Sequence, residues 1–167
     1  MSQKVLCSLF AQKSWANREL FEAVADVTQQ EHTAAGHTAI RTLNHIYVVD
    51  KIFRAHLLGE MHSYTATNTL ETPELGELRC AVAQTDLWFE SYAAETGDFA
   101  LSQSLPFRFT DGDPGNMTRE EMLFHVLTHG AYHRGNVGEM LKGMSRVPPR
   151  DLLTKFLHVR DPARRRS

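Results

Sequence analysis

Apolar residues recur at three- and four-residue steps over four separate long stretches of this chain, and that period restricts it to packed helices. Leu6, Leu9, Phe10, Ala16, Leu20 and Val24 line one face of a first helix over about Lys4 to Val27. Ile40, Leu43, Ile46, Tyr47, Val49, Ile52, Phe53 and Leu57 give a second helix, from about Gly36 to Leu58, a wide apolar face; Gly59 is its expected stop. Glu60 to Glu71 is polar and reads as a loop. Thr72 is the expected cap and Pro73 the first residue of a third helix, which carries Leu75, Leu78, Val82, Leu87, Phe89 and Tyr92 and runs to about Glu95 before Gly97.

Residues 99–117 break the pattern. Phe107-Arg108-Phe109-Thr110 alternates, and the run from Asp111 to Asn116 is dense in turn residues, so a short hairpin or an extended crossover is expected. Thr118 and Glu121 have the spacing of a capping box. The fourth long helix then runs from about Arg119 to Lys142, with Leu123, Val126, Leu127, Val137 and Leu141 as its core stripe. Gly143 is its expected stop, and Pro148-Pro149 forbids continuation. A short fifth helix, Arg150 to His158, is expected to pack through Leu152, Leu153, Phe156 and Leu157. The fold class is therefore all-α, a four-helix bundle in a single domain spanning residues 1–167, with a short C-terminal fifth helix.

Bundle cores host metal sites on facing helices, and this chain has nine histidines among 167 residues. His125, His129 and His133 are four apart on the fourth long helix and share a face. Two imidazoles at that spacing can converge on one ion. All three cannot, because His125 and His133 stand roughly 12 Å apart along the axis. Either adjacent pair remains open, His129 belongs to both, and a further ligand must come from another helix; the second helix offers His45 and His56. His32, His37, His62 and His158 fall at helix ends or in loops. The competing reading of any one histidine is a hydrogen-bonded core residue.

A formal net charge of −2 supplies no basic field for nucleic acid, and Arg164-Arg165-Arg166 reads as a solvated tail. Cys7 and Cys80 form no CxxC pair and read as two buried, reduced thiols of a cytoplasmic protein. No apolar run is long enough to span a membrane, and no secretion signal is legible.

Trp15-Ala16-Asn17, then Thr42-Leu43-Asn44-His45 with Val49-Asp50-Lys51-Ile52-Phe53, and finally His129-Gly-Ala-Tyr-His133-Arg134-Gly135-Asn136 follow one another in the order of the DinB/YfiT-like family, which this chain resembles over nearly its whole length. The resemblance implies a bundle with a long crossover connection, a homodimer, and one divalent metal per chain held by His45, His129 and His133. His125 then becomes a core residue or a neighbour of the ligands. The family's HHRGQ segment departs here at Tyr132 and Asn136. Three neutral imidazoles suit zinc, nickel or iron and leave a position for water or substrate. Members of the wider superfamily transfer low-molecular-weight thiols, so the resemblance implies a metal-dependent thiol S-transferase. A metal-dependent hydrolase and a non-catalytic, stress-responsive metal-binding protein are the alternatives. Asn44 and Asp50 are candidates to hold a ligand imidazole's other N–H. Arg134 is a candidate to clamp an anionic substrate or to pair at a dimer contact, and Tyr132 reads as packing.

Overall fold

The computed structural model describes residues 3–28 and 34–165. Four long helices dominate: α1 (Gln3–Thr28), α2 (Ala34–Leu58), α3 (Leu75–Glu95) and α5 (Arg119–Gly143). Between the last two lie a one-turn helix α4 (Asp98–Leu101) and a hairpin, β1 (Ser104–Arg108) with β2 (Pro114–Thr118). A short α6 (Leu153–Arg160) and a 3-10 turn (Pro162–Arg165) complete the chain. The protein is an all-α fold with a minor two-stranded sheet. His32 and Arg166 lie outside the described residues.

Helix ends follow local chemistry. Thr118 Oγ1 accepts from the Glu121 amide at 3.1 Å, and Glu121 Oε2 accepts from the Thr118 amide at 2.7 Å, so the expected capping box forms at α5. Gly59, at φ +68°, closes α2; its amide donates to the His56 carbonyl, and that of Glu60 donates to Ala55. At the end of α5 the expected stop is displaced. Gly143 stays helical, and Ser145, at φ +59°, takes the left-handed position while the Arg146 amide donates to the Leu141 carbonyl. The pattern of a closing turn is the same; the residue that bears its steric cost is not a glycine.

Other expectations are corrected. Thr72 does not cap α3, which starts at Leu75 after Glu74; the Thr72 hydroxyl is instead within 2.9 Å of His37 Nε2. Leu87 lies on the outer face of α3 and is exposed. The last helix begins at Leu153 rather than Arg150, since Leu152 is still extended, and Leu152 and Leu153 face solvent while Phe156 alone of the four is buried. Cys80 is exposed and Cys7 half-buried, so the two free cysteines are not core thiols.

The residues 99–117 resolve as the hairpin reading. Phe107 pairs directly with Gly115, and its ring packs near Phe53 and His56. A Cβ on Gly115 would lie 2.5 Å from Phe107 Cζ, so only glycine leaves room for that ring.

The core has two apolar halves. One gathers Leu6, Phe10, Ile52, Phe53, Phe89 and Leu123; the other gathers Leu20, Val24, Leu43, Ile46, Val82 and Val137. Between them in sequence, on each long helix, fall buried polar residues: Lys13 and Asn17 on α1, Asp50 on α2, Asp86 on α3 and Arg134 on α5. The bundle thus has a polar layer at mid-height.

Candidate metal centre

Two ligand-type residues of the site come from α5 and one from α2, which pack against each other along the bundle. His129 and His133 are one turn apart, and their ring centroids lie 4.5 Å from each other. His45 meets both: its Nε2 is 3.0 Å from His129 Nε2, and its ring centroid is 4.5 Å from that of His133. One nitrogen from each of the three falls within 4.8 Å of the others, and no carboxylate or thiol among the described residues joins them. All three side chains are half-buried.

Burial and neighbouring imidazoles favour the uncharged form of the cluster's two α5 histidines. Burial first, then neighbouring His133 and His45, push His129 down to about 3. Burial and His45 lower His133 as well. Neutral imidazoles present the lone pairs that a borderline divalent cation takes, so the donor set fits such an ion chemically. The Nδ1 atom of His129 is buried and has no hydrogen-bond partner among the described residues. His45 differs: its Nδ1 lies 2.7 Å from the Thr67 carbonyl, which can only accept, so the proton sits on Nδ1 and the lone pair on Nε2.

His125 does not enter the cluster. Its ring stacks on Phe53 at 4.4 Å and on His129 at 5.5 Å, and burial lowers its pKa. His56, also on α2, lies beside His62 rather than His45, and burial pushes it down to about 4. Tyr132 is exposed at the edge of the His133 ring.

The expected partners of the imidazole N–H groups are replaced. The Asn44 side chain hydrogen-bonds to no ligand-type histidine among the described residues. It is buried, and its amide donates to Asn68 Oδ1 at 2.5 Å and Thr69 Oγ1 at 2.6 Å. Asp50 belongs to the polar layer, where Lys13 Nζ lies 2.7 Å from Asp50 Oδ2 and 2.5 Å from Asp86 Oδ1. Burial lifts the Asp50 carboxyl to about 6 despite Lys13 beside it. Burial opposes the Lys13 charge, but the two carboxylates outweigh it and hold the ammonium above its ordinary pKa. Arg134 is buried and pairs within the chain: Nε donates to Asp151 Oδ2 at 2.7 Å and Nη1 to Asn17 Oδ1 at 3.4 Å, with Gln12 also donating to Asp151. Its guanidinium is therefore already paired inside the chain.

Sequence reasoning missed the Lys13–Asp86–Asn17 cluster and the Thr67 carbonyl. The first has a signal: Lys13 and Asn17 sit on the same face as Phe10 and Leu20, and Asp86 lies between Val82 and Phe89, all at helical steps. Charges in a core register are candidates for buried pairs. The Thr67 carbonyl has none, because any residue type supplies one.

The chain is thus a helical bundle with a half-buried cluster of three histidines, two on one helix and one on its neighbour. The family model "DinB family" matches residues 1–165, and the chain belongs to that family. It is 24% identical over 147 residues to "Protein DinB" of Bacillus subtilis (strain 168), covering 80% of this chain and 83% of that protein. No solved structure gives a significant match. Family membership and the three-histidine cluster are together consistent with metal binding. No helix of the described residues is long and apolar enough to cross a membrane.

Proposed function

We propose that this chain folds as one domain, binds one divalent first-row ion (zinc, nickel or iron) through His45, His129 and His133, and acts as a metal-dependent transferase for a small thiol. The observation that carries the reading is that one ring nitrogen from each of three histidines, on two helices, lies within 4.8 Å of the other two. When bound, the ion supplies Lewis acidity that lowers the pKa of a thiol at physiological pH.

The chain's own residues supply the rest. His129, held down at about 3, stays neutral far below pH 7 and so remains available as a ligand. Phe53 and the stacked His125 wall the inner side. His45 and His133 are only half-buried, with the exposed Tyr132 ring at the rim, so a small molecule has an open approach. The absence of a carboxylate from the cluster favours a thiol over water as the attacking group. A thiol held by the ion would lose its proton near neutral pH and needs no further base to attack, whereas hydrolysis would rest on activated water without a carboxylate beside it. Exposed Phe124 and Tyr132 on the outer face of α5 suit a second copy of the chain, and a homodimer is part of this reading. The two free cysteines fit the reducing cytoplasm.

Metal analysis of protein purified without a polyhistidine tag tests the site. About one ion per chain is expected, lost in His129→Ala and kept in His158→Ala, whose side chain bonds within α6. Normal binding by all three single alanine variants of the cluster would end the assignment. Chelator-sensitive turnover of an electrophile with glutathione or bacillithiol tests the transferase. Ester or amide turnover without thiol would move the reading to a hydrolase, and metal binding without turnover to a binding protein.

A further inference from the structure

The Thr67 carbonyl that fixes the His45 tautomer lies in the loop between α2 and α3, an exposed segment without regular structure. A carbonyl in such a loop positions a ring only if the loop is itself held. Here four residues of α2 and the loop lock together. Asn44 donates both of its amide bonds to Asn68 and Thr69. Asn68 Nδ2 donates back to the Arg41 carbonyl at 3.0 Å, and Arg41 Nη1 donates to the Thr69 carbonyl at 2.7 Å and the Leu70 carbonyl at 3.2 Å. Thr69 Oγ1 also donates to the Glu71 carbonyl at 2.6 Å. The strap therefore crosses the turn of α2 that carries His45, and its only fully buried anchor is Asn44, the residue immediately before the ligand.

We propose that Asn44 is a positioning residue for the metal centre: through the 67–69 strap it sets the Thr67 carbonyl against His45 Nδ1–H and so keeps the Nε2 lone pair turned toward His129 and His133. This deepens the metal-site reading and rests on it. The physical argument is one of preorganisation. A neutral imidazole has two tautomers, and a half-buried ring can also flip about its Cβ–Cγ bond. Either change removes the lone pair from the cluster. One carbonyl at 2.7 Å selects a single tautomer and a single flip state together. Partners of this kind, removed, cost roughly 10–100-fold in metal affinity.

The test uses the full chain and two readouts. In metal-free protein, the nitrogen-15 resonances of the His45 ring report which nitrogen carries the proton. In parallel, zinc affinity is measured by competition with a chromophoric chelator. Wild type is expected to show the single Nδ1–H form. Asn44→Leu, close in size but without the two donors, is expected to show a mixture of tautomers and about 10–100-fold weaker zinc binding. Arg41→Met loosens the same strap from its exposed side and is the fallback if Asn44→Leu does not fold; the same change in tautomer and a smaller loss of affinity are expected. Gly115→Val, a destabilising change in the hairpin and outside the strap, is expected to leave the His45 tautomer as in wild type. An unchanged tautomer and wild-type affinity in both strap variants would overturn the proposal, as would an equal tautomer shift in Gly115→Val. If wild-type protein binds no zinc at all, the metal reading falls, and the ring resonances still decide whether the strap orients His45.

Discussion

Replacing Lys13 by methionine isolates the energetic role of the polar layer. The side chain is 1% exposed and is the only cation within 4 Å of Asp50 and Asp86 among the described residues, themselves 1% and 3% exposed. Asp86 would keep the Asn17 amide at 2.8 Å. Asp50 would keep no hydrogen bond among the described residues, since Lys13 holds its Oδ2 and its Oδ1 already lacks a partner; only the more remote Arg134 charge would remain. Removing one member of a buried pair costs about 3–5 kcal/mol, because the desolvated charge left behind is uncompensated. For a domain of this length that is a fall in Tm of roughly 6–20 °C, at about 2–4 °C per kcal/mol. Urea denaturation of metal-free protein at pH 7 measures the loss. Acidification then supplies a sign check. The Asp50 carboxyl sits at about 6 with the ammonium beside it and rises further without it, above its unfolded value of 3.8. The folded variant then binds the extra proton, so its deficit against wild type shrinks as the pH falls from 7 toward 5. Asp50→Asn added to Lys13→Met is expected to recover part of the loss at pH 7. A deficit under about 1 kcal/mol, or one that grows on acidification, would refute the claim that Lys13 compensates two buried carboxylates.

Metal-free wild type is expected to lose stability below about pH 6.5. His56 and His129 are held at about 4 and about 3, so the unfolded chain binds two protons that the native one refuses, while Asp50 at about 6 returns one. The balance of these three groups is about 1.4 kcal/mol per pH unit between pH 6 and 4, and His125 and His133, also lowered, add to the loss; thermal unfolding at pH 7.5 and 5.5 checks it, and a gain in Tm at the lower pH contradicts it. Gly115→Val drives a side chain into the Phe107 ring and is expected to cost about 1–3 kcal/mol by chemical denaturation. Ser145→Gly is expected to raise stability by about 1 kcal/mol, because the residue already holds φ +59° and glycine removes the Cβ strain. A lowered Tm in that variant would show that the turn is not strained.

Apolar period and cap chemistry were enough to read four long helices and the capping box at Thr118, because these depend on neighbours in sequence; for residues 99–117 they left a hairpin and an extended crossover both open. The start of α3 was misplaced for the opposite reason. Thr72 and Pro73 have the right types for a helix start, yet Thr72 is engaged by His37 on another helix. At the site, spacing brought attention to His129 and left its partner open between His125 and His133. The choice is made by where Phe53 lies: its ring takes His125, and His133 is left to meet His45. Tertiary packing of that kind leaves no trace in the period of a single helix. Asn44 and Asp50, candidates to bond a ligand imidazole directly, hydrogen-bond to other groups instead. Asn44 looks toward the loop and Asp50 toward α1.

Neither α1 nor α3 contributes a nitrogen to the histidine cluster, yet α1 governs its alignment. Lys13 grips α2 at Asp50, and one turn later Asn17 grips α5 at Arg134. Both donor-bearing rods are thereby indexed against one common ruler, and a slip of either by a single turn, about 5.4 Å, would strand a buried charge. Transplanting the three histidines onto a bare helical hairpin would copy the donors without the gauge that sets their height.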